Sequence, residues 1–184
     1  MANATEQSYA EPHGGPVPGP SSPHSPVRDR PHRAWRRRLG WLLAAGAALF
    51  LLAQAVPYGR SHTNPPVTAE PRWDSPQTRE LAARACFDCH SNLTRWPWYS
   101  NIAPVSWLVQ RDVDGGRAAL NFSEWNRPQD GAGDITQAIS GGSMPPWFYP
   151  LMHPKANLSA SDQQRLIAGM AATLRSSPPP GGTG

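Results

Sequence analysis

Cysteine is scarce in this chain, and its scarcity excludes several kinds of site. Cys86 and Cys89 are the only two cysteines among 184 residues. No others are left to form a structural disulfide or a four-thiolate metal site, and the sequence has no second Cys/His pair at zinc-ligand spacing. A thioredoxin-type redox pair would need a βαβ context, which the neighbouring sequence lacks. The two cysteines are therefore expected to share a role of another kind.

A strong excess of charge is also missing from most of the chain. Residues 57–184 carry eleven basic and ten acidic side chains, whereas residues 1–56 carry six arginines and three acidic side chains. The basic character of the chain thus belongs mainly to its N-terminal part. The near-neutral remainder argues against a nucleic-acid-binding surface, so no nucleic acid is expected among the partners.

Large apolar residues are almost absent from the first 27 residues, which are rich in Pro, Gly and Ser. Such a segment cannot bury enough surface to offset the entropy cost of ordering it. A cluster of arginines follows, from Arg28 to Arg38. Residues 1–38 are therefore predicted to form a disordered, Pro-rich and basic cytoplasmic arm.

One long hydrophobic run comes directly after the arginines. Residues 39–56 contain a single polar side chain, Gln54, and as a helix they would be about 27 Å long, close to the thickness of a bilayer core. We predict a transmembrane anchor that contacts lipid and has its arginine-flanked end in the cytoplasm. A cleaved signal sequence is the alternative, since Ala53-Gln54-Ala55 fits the cleavage pattern. Either interpretation exports residues 57–184 to the periplasm or cell exterior of a bacterium.

The two cysteines belong to the pentapeptide Cys86-Phe87-Asp88-Cys89-His90. This C-x-x-C-H pattern is typical of covalent attachment of c-type haem. Haem has two vinyl groups, and each thiol can add to one of them to give a thioether. The adjacent imidazole can then reach the iron. The pattern predicts one haem c attached to Cys86 and Cys89, with His90 as the proximal iron ligand.

A second iron ligand is predicted at Met144, in the segment Gly142-Ser143-Met144-Pro145-Pro146. Proline stiffens such a loop and removes backbone donors, so a thioether can be presented to iron in a dry pocket. Met152 or His153 could take its place, or the sixth position could be open. Burial of Met144 in an ordinary apolar core is a further alternative.

The remaining pattern predicts an all-α, class I cytochrome c-like haem domain over residues 75–175. It follows an extended connector, residues 57–74, and precedes a flexible tail, residues 176–184. Helices are predicted to begin at Ser75-Pro76 and Ser159, each with a serine N-cap, and another at Pro104 that ends at Gly115-Gly116. Three aromatic side chains are expected to pack on the haem faces: Trp96, Trp98 and Trp107.

Several of these motifs occur in the order found in one known family. Residues 86–100, 102–107, 120–125, 144–146 and 153–154 resemble the bacterial haem-binding domain family, over roughly residues 55–175. The resemblance implies a small, usually membrane-anchored protein with one c-type haem on Cys86 and Cys89 and with His90 as axial ligand. Met144 lies in the Met-Pro-Pro segment of the family, which also resembles the distal loop of class I cytochromes c.

The expected function is one-electron transfer between redox partner proteins on the outer side of the cytoplasmic membrane. Ligands on both faces of the iron would leave no place for a substrate. The alternative is a haem-based sensor or a peroxidase-like enzyme with an open or displaceable sixth position, for which His153 and Glu124 are the candidate acid/base residues. A structural haem domain within a larger membrane complex is a third interpretation.

Overall fold

The computed structural model of the chain describes residues 14, 15, 19 and 30–181. Regular structure in this part of the chain is helical apart from one isolated parallel bridge, between Ala69 and Glu124. The helical content agrees with the all-α class expected. The α-helices are α1 (Arg30–Gln54), α2 (Pro76–Ala85), α3 (Phe87–His90), α4 (Val105–Ala119), α5 (Ile135–Ser140), α6 (Tyr149–Met152) and α7 (Ala160–Ser176).

The predicted transmembrane helix is wrong. Among the described residues, no helix combines the length and the apolar character that crossing a membrane requires. The physical reason lies in the bounds of α1, which begins at Arg30 and ends at Gln54, so Ala55 and Val56 lie outside it. Its apolar part, residues 39–54, is about 24 Å long, short of the roughly 30 Å of a bilayer core.

The predicted disorder of the N-terminal arm is also wrong for its last part. Residues 30–38 are helical, because they continue α1 towards its N-terminus. Apart from residues 14, 15 and 19, the earlier part of the arm lies outside the described residues. The chain divides into two compact units, Met1–Leu43 and Ala44–Gly184, and the second unit contains every candidate site residue.

The end of α1 lies within the second unit, where the side chain of Gln54 bonds it to later residues. Its amide nitrogen donates a hydrogen bond to the carbonyl oxygen of Ala103 (2.8 Å), and its amide oxygen accepts one from the nitrogen of the same residue (3.1 Å). Arg60 donates a further hydrogen bond to the Gln54 amide oxygen at 2.9 Å. Ala103 is fully buried, so Gln54 satisfies two backbone groups that have no access to water.

Helices α2 and α7 begin where their capping residues predict. The Ser75 hydroxyl accepts a hydrogen bond from the Thr78 nitrogen, and the Ser159 hydroxyl accepts one from the Asp162 nitrogen. The two helices pack closely where Gly169 faces Thr78, since a Cβ atom at residue 169 would collide with the threonine side chain. Glycine is therefore required for this approach, which sets the position of α2 and of the cysteines that follow it.

The core lies between α2, α7 and the segment after α4. The rings of Phe87 and Phe122 stack with their centroids 5.7 Å apart, and Phe122 stacks on Trp125 at 5.8 Å. Leu166 and Met170 of α7 are almost completely buried against them. Burial of each such side chain contributes roughly 1.5–3 kcal/mol. Phe87 therefore anchors α3, and with it the C-x-x-C-H motif, to the core.

The segments on either side of the haem domain are tied to it. In the predicted connector, residues 57–74, the backbone nitrogen of Thr68 donates to Ser123 and that of Trp125 donates to Ala69. At the other end, the Trp125 indole donates to the Ser177 carbonyl oxygen at 2.8 Å. The predicted flexible tail, residues 176–184, thus begins with residues attached to the domain, and residues 182–184 lie outside the described part.

Candidate functional site

The two cysteines are positioned by the corner between α2 and α3. Cys86 ends α2 by donating its backbone N–H to the Ala82 carbonyl oxygen (2.8 Å), and its own carbonyl oxygen accepts from the His90 nitrogen (2.9 Å). Phe87 and Asp88 are buried, whereas Cys86 and Cys89 are partly exposed, and both are free thiols. The corner therefore holds two thiols and an imidazole within five consecutive residues.

His90 is held in one tautomer by backbone carbonyl groups. Its Nδ1 lies 3.0 Å from the Gly116 carbonyl oxygen and 3.1 Å from that of Leu120. Nδ1 therefore carries the proton and donates, which leaves the lone pair of the ring on Nε2. Burial lowers the pKa of His90. A neutral imidazole with a fixed ring and a free Nε2 is the form that binds a metal.

Burial also determines the state of the two thiols. It raises the pKa of Cys86 and that of Cys89 to about 12, with the neighbouring acidic groups Asp112 and Asp88 adding to the effect at Cys89. Both side chains are thus neutral thiols near pH 7. A thiolate metal centre needs deprotonated cysteines, which a raised pKa disfavours. The described residues also contain no cluster of three or more His, Cys, Asp or Glu side chains suited to a metal ion.

Helix α4 passes very close to the motif at Gly116. A Cβ atom at this residue would lie 2.5 Å from the Cys89 carbonyl oxygen, whereas one at Gly115 would meet nothing within 4 Å. The prediction that these two glycines end the helix is wrong, because α4 continues through them to Ala119. Gly116 instead permits the close approach that brings its carbonyl oxygen to His90.

The two adjacent glycines provide a matched test of this contact. Gly116→Ala should lower the free energy of unfolding by about 1–3 kcal/mol, because the new methyl group overpacks the backbone of Cys89. Gly115→Ala should leave stability unchanged or raise it by up to about 1 kcal/mol, because alanine favours the helix. Denaturant titration of both variants measures the difference. Equal stabilities would show that the close approach is not needed.

A cavity of about 460 Å³ lies against the motif, and we call it the thiol cavity. It brings together all four residues predicted to bind the haem or its iron, Cys86, Cys89, His90 and Met144. The Met144 side chain is 41% exposed, so the alternative of an ordinary core methionine does not apply. The wall of the thiol cavity includes Cys86, Cys89, His90, Gly116, Met144 and Phe148.

A second cavity, of about 410 Å³, shares four residues with the first: Cys89, Asp112, Phe148 and Tyr149. We call it the tyrosine cavity, because Tyr99 and Tyr149 line it together with His153. Most of its other lining residues are apolar, and four of these belong to α4, among them Leu108 and Val109. Met152 and His153, the substitute iron ligands, line this cavity and not the thiol cavity.

Of the three tryptophans predicted to pack on the haem, Trp98 lines the tyrosine cavity, and the other two line neither cavity. Trp96 points towards the connector, where its ring stacks on His62 (centroids 4.7 Å apart) and its indole donates to Asn64. Trp107 lies on a different face of α4 from Leu108, since successive residues of a helix are rotated by about 100°. The density of aromatic residues did not reveal these orientations.

One cluster that the sequence did not reveal is centred on the buried carboxylate of Asp88. The Tyr149 hydroxyl donates to Asp88 Oδ2 at 2.6 Å, and Arg95 Nε donates to Oδ1 at 3.2 Å. Burial and the hydrogen bond to Asp88 raise the pKa of Tyr149. The only signal of this cluster in the sequence was the acidic residue Asp88 inside the C-x-x-C-H motif, which is predicted to pack against a cofactor. Its partners lie too far along the chain to be paired by pattern.

The two candidate acid/base residues occupy different surroundings. His153 Nε2 lies 2.8 Å from the Tyr99 hydroxyl, its ring stacks on Tyr149, and burial lowers its pKa. Glu124 accepts from Asn92 and pairs with Arg127, and it lines neither cavity. The structure therefore does not bring Glu124 to the site.

A sequence profile of one family, described as a haem-binding domain, matches residues 48–172. The match covers more than half of the chain and includes every residue of the thiol cavity. No curated protein and no solved structure matches the chain.

Proposed function

The chain belongs to the haem-binding domain family, and from this premise we propose that it is a monohaem c-type cytochrome that carries single electrons between redox partner proteins. One observation carries the proposal: a single cavity is lined by two thiols, an imidazole with its Nδ1 already hydrogen-bonded, and a thioether. This is the donor set of a covalently attached haem with two axial ligands.

The residues of the two cavities fit a covalently attached haem. The motif supplies two free thiols within one turn of chain, and each can add to one vinyl group to give a thioether. Gly116 lets α4 lie directly against Cys89, where a Cβ atom would collide with the Cys89 carbonyl group. The thiol and tyrosine cavities adjoin at Phe148 and Tyr149, and their apolar walls suit a large flat ring system.

When bound, the haem supplies an iron that alternates between two oxidation states. The chain holds the haem and encloses it. Cys86 and Cys89 attach it, and His90 presents Nε2 because its Nδ1 is held by Gly116 and Leu120. Met144 offers its sulfur from a loop stiffened by two prolines. With His90 and Met144 both binding the iron, no position would be left for a substrate, and the thioether would raise the reduction potential, which would favour electron transfer over substrate turnover.

The alternative of a sensor or a peroxidase-like enzyme has weaker support. Peroxidase chemistry needs an acid/base side chain free to act near the iron. His153 is already engaged by Tyr99 and Tyr149 in the tyrosine cavity, and Glu124 lies outside both cavities. Covalent haem attachment takes place outside the cytoplasm, so we place the haem domain and its redox partners on the outer side of the bacterial cytoplasmic membrane.

Spectroscopy of the oxidised holoprotein tests the proposal directly. We expect a weak absorption band at the red edge of the visible range, which reports iron–methionine ligation, and a single one-electron step in a potentiometric titration. The reduced protein should resist carbon monoxide because both axial positions are filled. Rapid carbon monoxide binding together with peroxide turnover would instead support the sensor or peroxidase-like alternative.

A further inference from the structure

The carboxylate of Asp88, in the middle of the C-x-x-C-H motif, is an unusually complete hydrogen-bond acceptor. The residue is only 6% exposed. Its Oδ1 accepts from both the backbone nitrogen and Nε of Arg95, at 3.1 and 3.2 Å. Its Oδ2 accepts from the Tyr149 hydroxyl at 2.6 Å. Asp88 therefore joins the motif to a residue 61 positions further along the chain.

Tyr149 belongs to the stretch that carries Met144. We call residues 144–152 the distal segment. Two prolines follow Met144, and the Tyr149 nitrogen donates to the Pro146 carbonyl oxygen at 2.9 Å, which closes a tight turn. The Tyr149 ring stacks on His153, with the centroids 4.2 Å apart and the planes 11° from parallel. The position of the tyrosine ring and that of the methionine are therefore linked by a short, stiff piece of chain.

Little else attaches the distal segment to the domain. No residue of α6 is buried, and Trp147 and Leu151 are largely exposed. Met144 donates its backbone N–H to Ala138. Apart from a bond to the neighbouring His153, whose backbone N–H donates to the Tyr149 carbonyl oxygen, the hydrogen bond of the Tyr149 hydroxyl is the only one that joins residues 145–152 to the rest of the described chain. A single contact to a buried carboxylate thus dominates the attachment of this segment.

We propose that the hydrogen bond between Tyr149 and Asp88 is a latch that holds Met144 over the sixth iron position. The inference rests on the proposed function, because it assumes that Met144 is the distal ligand. Tyr149 and Asp88 are then positioning residues. They connect the attachment motif on one side of the haem to the ligand on the other, and the strength of their hydrogen bond sets how often the sixth position opens to small molecules.

The Tyr149→Phe variant of the full-length holoprotein tests the latch. It removes one hydroxyl and keeps the ring that stacks on His153. Hydrogen bonds to charged groups are strong, so we expect azide to bind the oxidised variant about ten- to a hundredfold faster than it binds the parent. The iron–methionine band should weaken, while the amount of covalently bound haem stays the same.

Tyr99→Phe is the matched control. It removes the same chemical group from the same cavity, but the Tyr99 hydroxyl is bonded to His153 and not to Asp88. Its azide-binding rate should rise far less than that of Tyr149→Phe, and its iron–methionine band should remain. Asp88→Asn keeps a weaker hydrogen-bonding partner for Tyr149, so its azide-binding rate should fall between those of the parent and Tyr149→Phe. It also serves as the test if Tyr149→Phe yields too little holoprotein.

Parent-like azide binding in Tyr149→Phe, or in Asp88→Asn where that variant stands in, would overturn the latch and leave the proposed function intact. Equal acceleration by Tyr149→Phe and Tyr99→Phe would also overturn it, since the effect would then belong to the cavity as a whole. A parent protein without the iron–methionine band would instead overturn Met144 ligation, and the latch would fall with it. The two failures are therefore distinguishable.

Discussion

Replacing both Cys86 and Cys89 by alanine should release the haem from the polypeptide. Two thiols lining one cavity beside a tethered imidazole are the arrangement needed for two thioether bonds. Without them His90 and Met144 can at most hold a dissociable haem. Protein made with a c-type haem maturation system should therefore keep its colour through acid–acetone extraction, and the double variant should lose essentially all of it.

The single variants serve as controls for this experiment. Cys86→Ala and Cys89→Ala each keep one thiol, so part of the haem should remain attached in both. The two thiols have similarly raised pKa values, about 12 in each case, which gives no reason to expect one to dominate. Colour that stays with the double variant after extraction would refute covalent attachment.

Met144→Ala should lower the midpoint potential by about 100 mV or more, since methionine ligation raises the potential of a haem iron. The iron–methionine band should disappear, and the reduced variant should bind carbon monoxide, which the parent resists. Potentiometric titration and absorption spectroscopy measure these effects. The expected change is large because Met144→Ala removes the proposed ligand altogether. Tyr149→Phe, in contrast, only loosens the hold on Met144.

Met152→Ala is the matched control for Met144→Ala. The two side chains are chemically identical, and Met152 is also exposed, but it lines the tyrosine cavity and not the thiol cavity. Its potential and spectrum should stay those of the parent. If Met152→Ala removes the band and Met144→Ala does not, the assignment of the distal ligand is reversed. If neither variant changes the spectrum, the sixth position is open or bound by another group, and His153 becomes the next residue to replace.

The sequence predicted those features that depend on residues close together along the chain. Cys86, Cys89 and His90 lie within one turn of chain, so their spacing alone predicts that they share a site, and the structure places them together. The starts of α2 and α7 were predictable for the same reason, since Ser75 and Ser159 each cap a nitrogen three residues away. Met144 was a prediction from its position and its prolines, and the thiol cavity contains it.

Features that depend on distant partners were not predictable. The hydrogen bond between Asp88 and Tyr149 spans 61 residues, and neither residue type alone points to the other. The orientation of Trp96 depends on its contacts with His62 and Asn64 in the connector. The continuation of α4 through Gly116 was not predictable either, because the sequence does not show that Cys89 lies against this residue and that only glycine fits there.

The pairing of Gln54 with Ala103 determines how far the chain can be shortened without damage. A version that begins at residue 57, or one produced by proteolysis after Ala55, would lose both hydrogen bonds to a fully buried residue. Each buried backbone group left without a partner costs about 1–3 kcal/mol. A version that begins at residue 48, the first residue of the family match, keeps the glutamine. The last turns of α1 therefore belong to the minimal folding unit of the haem domain.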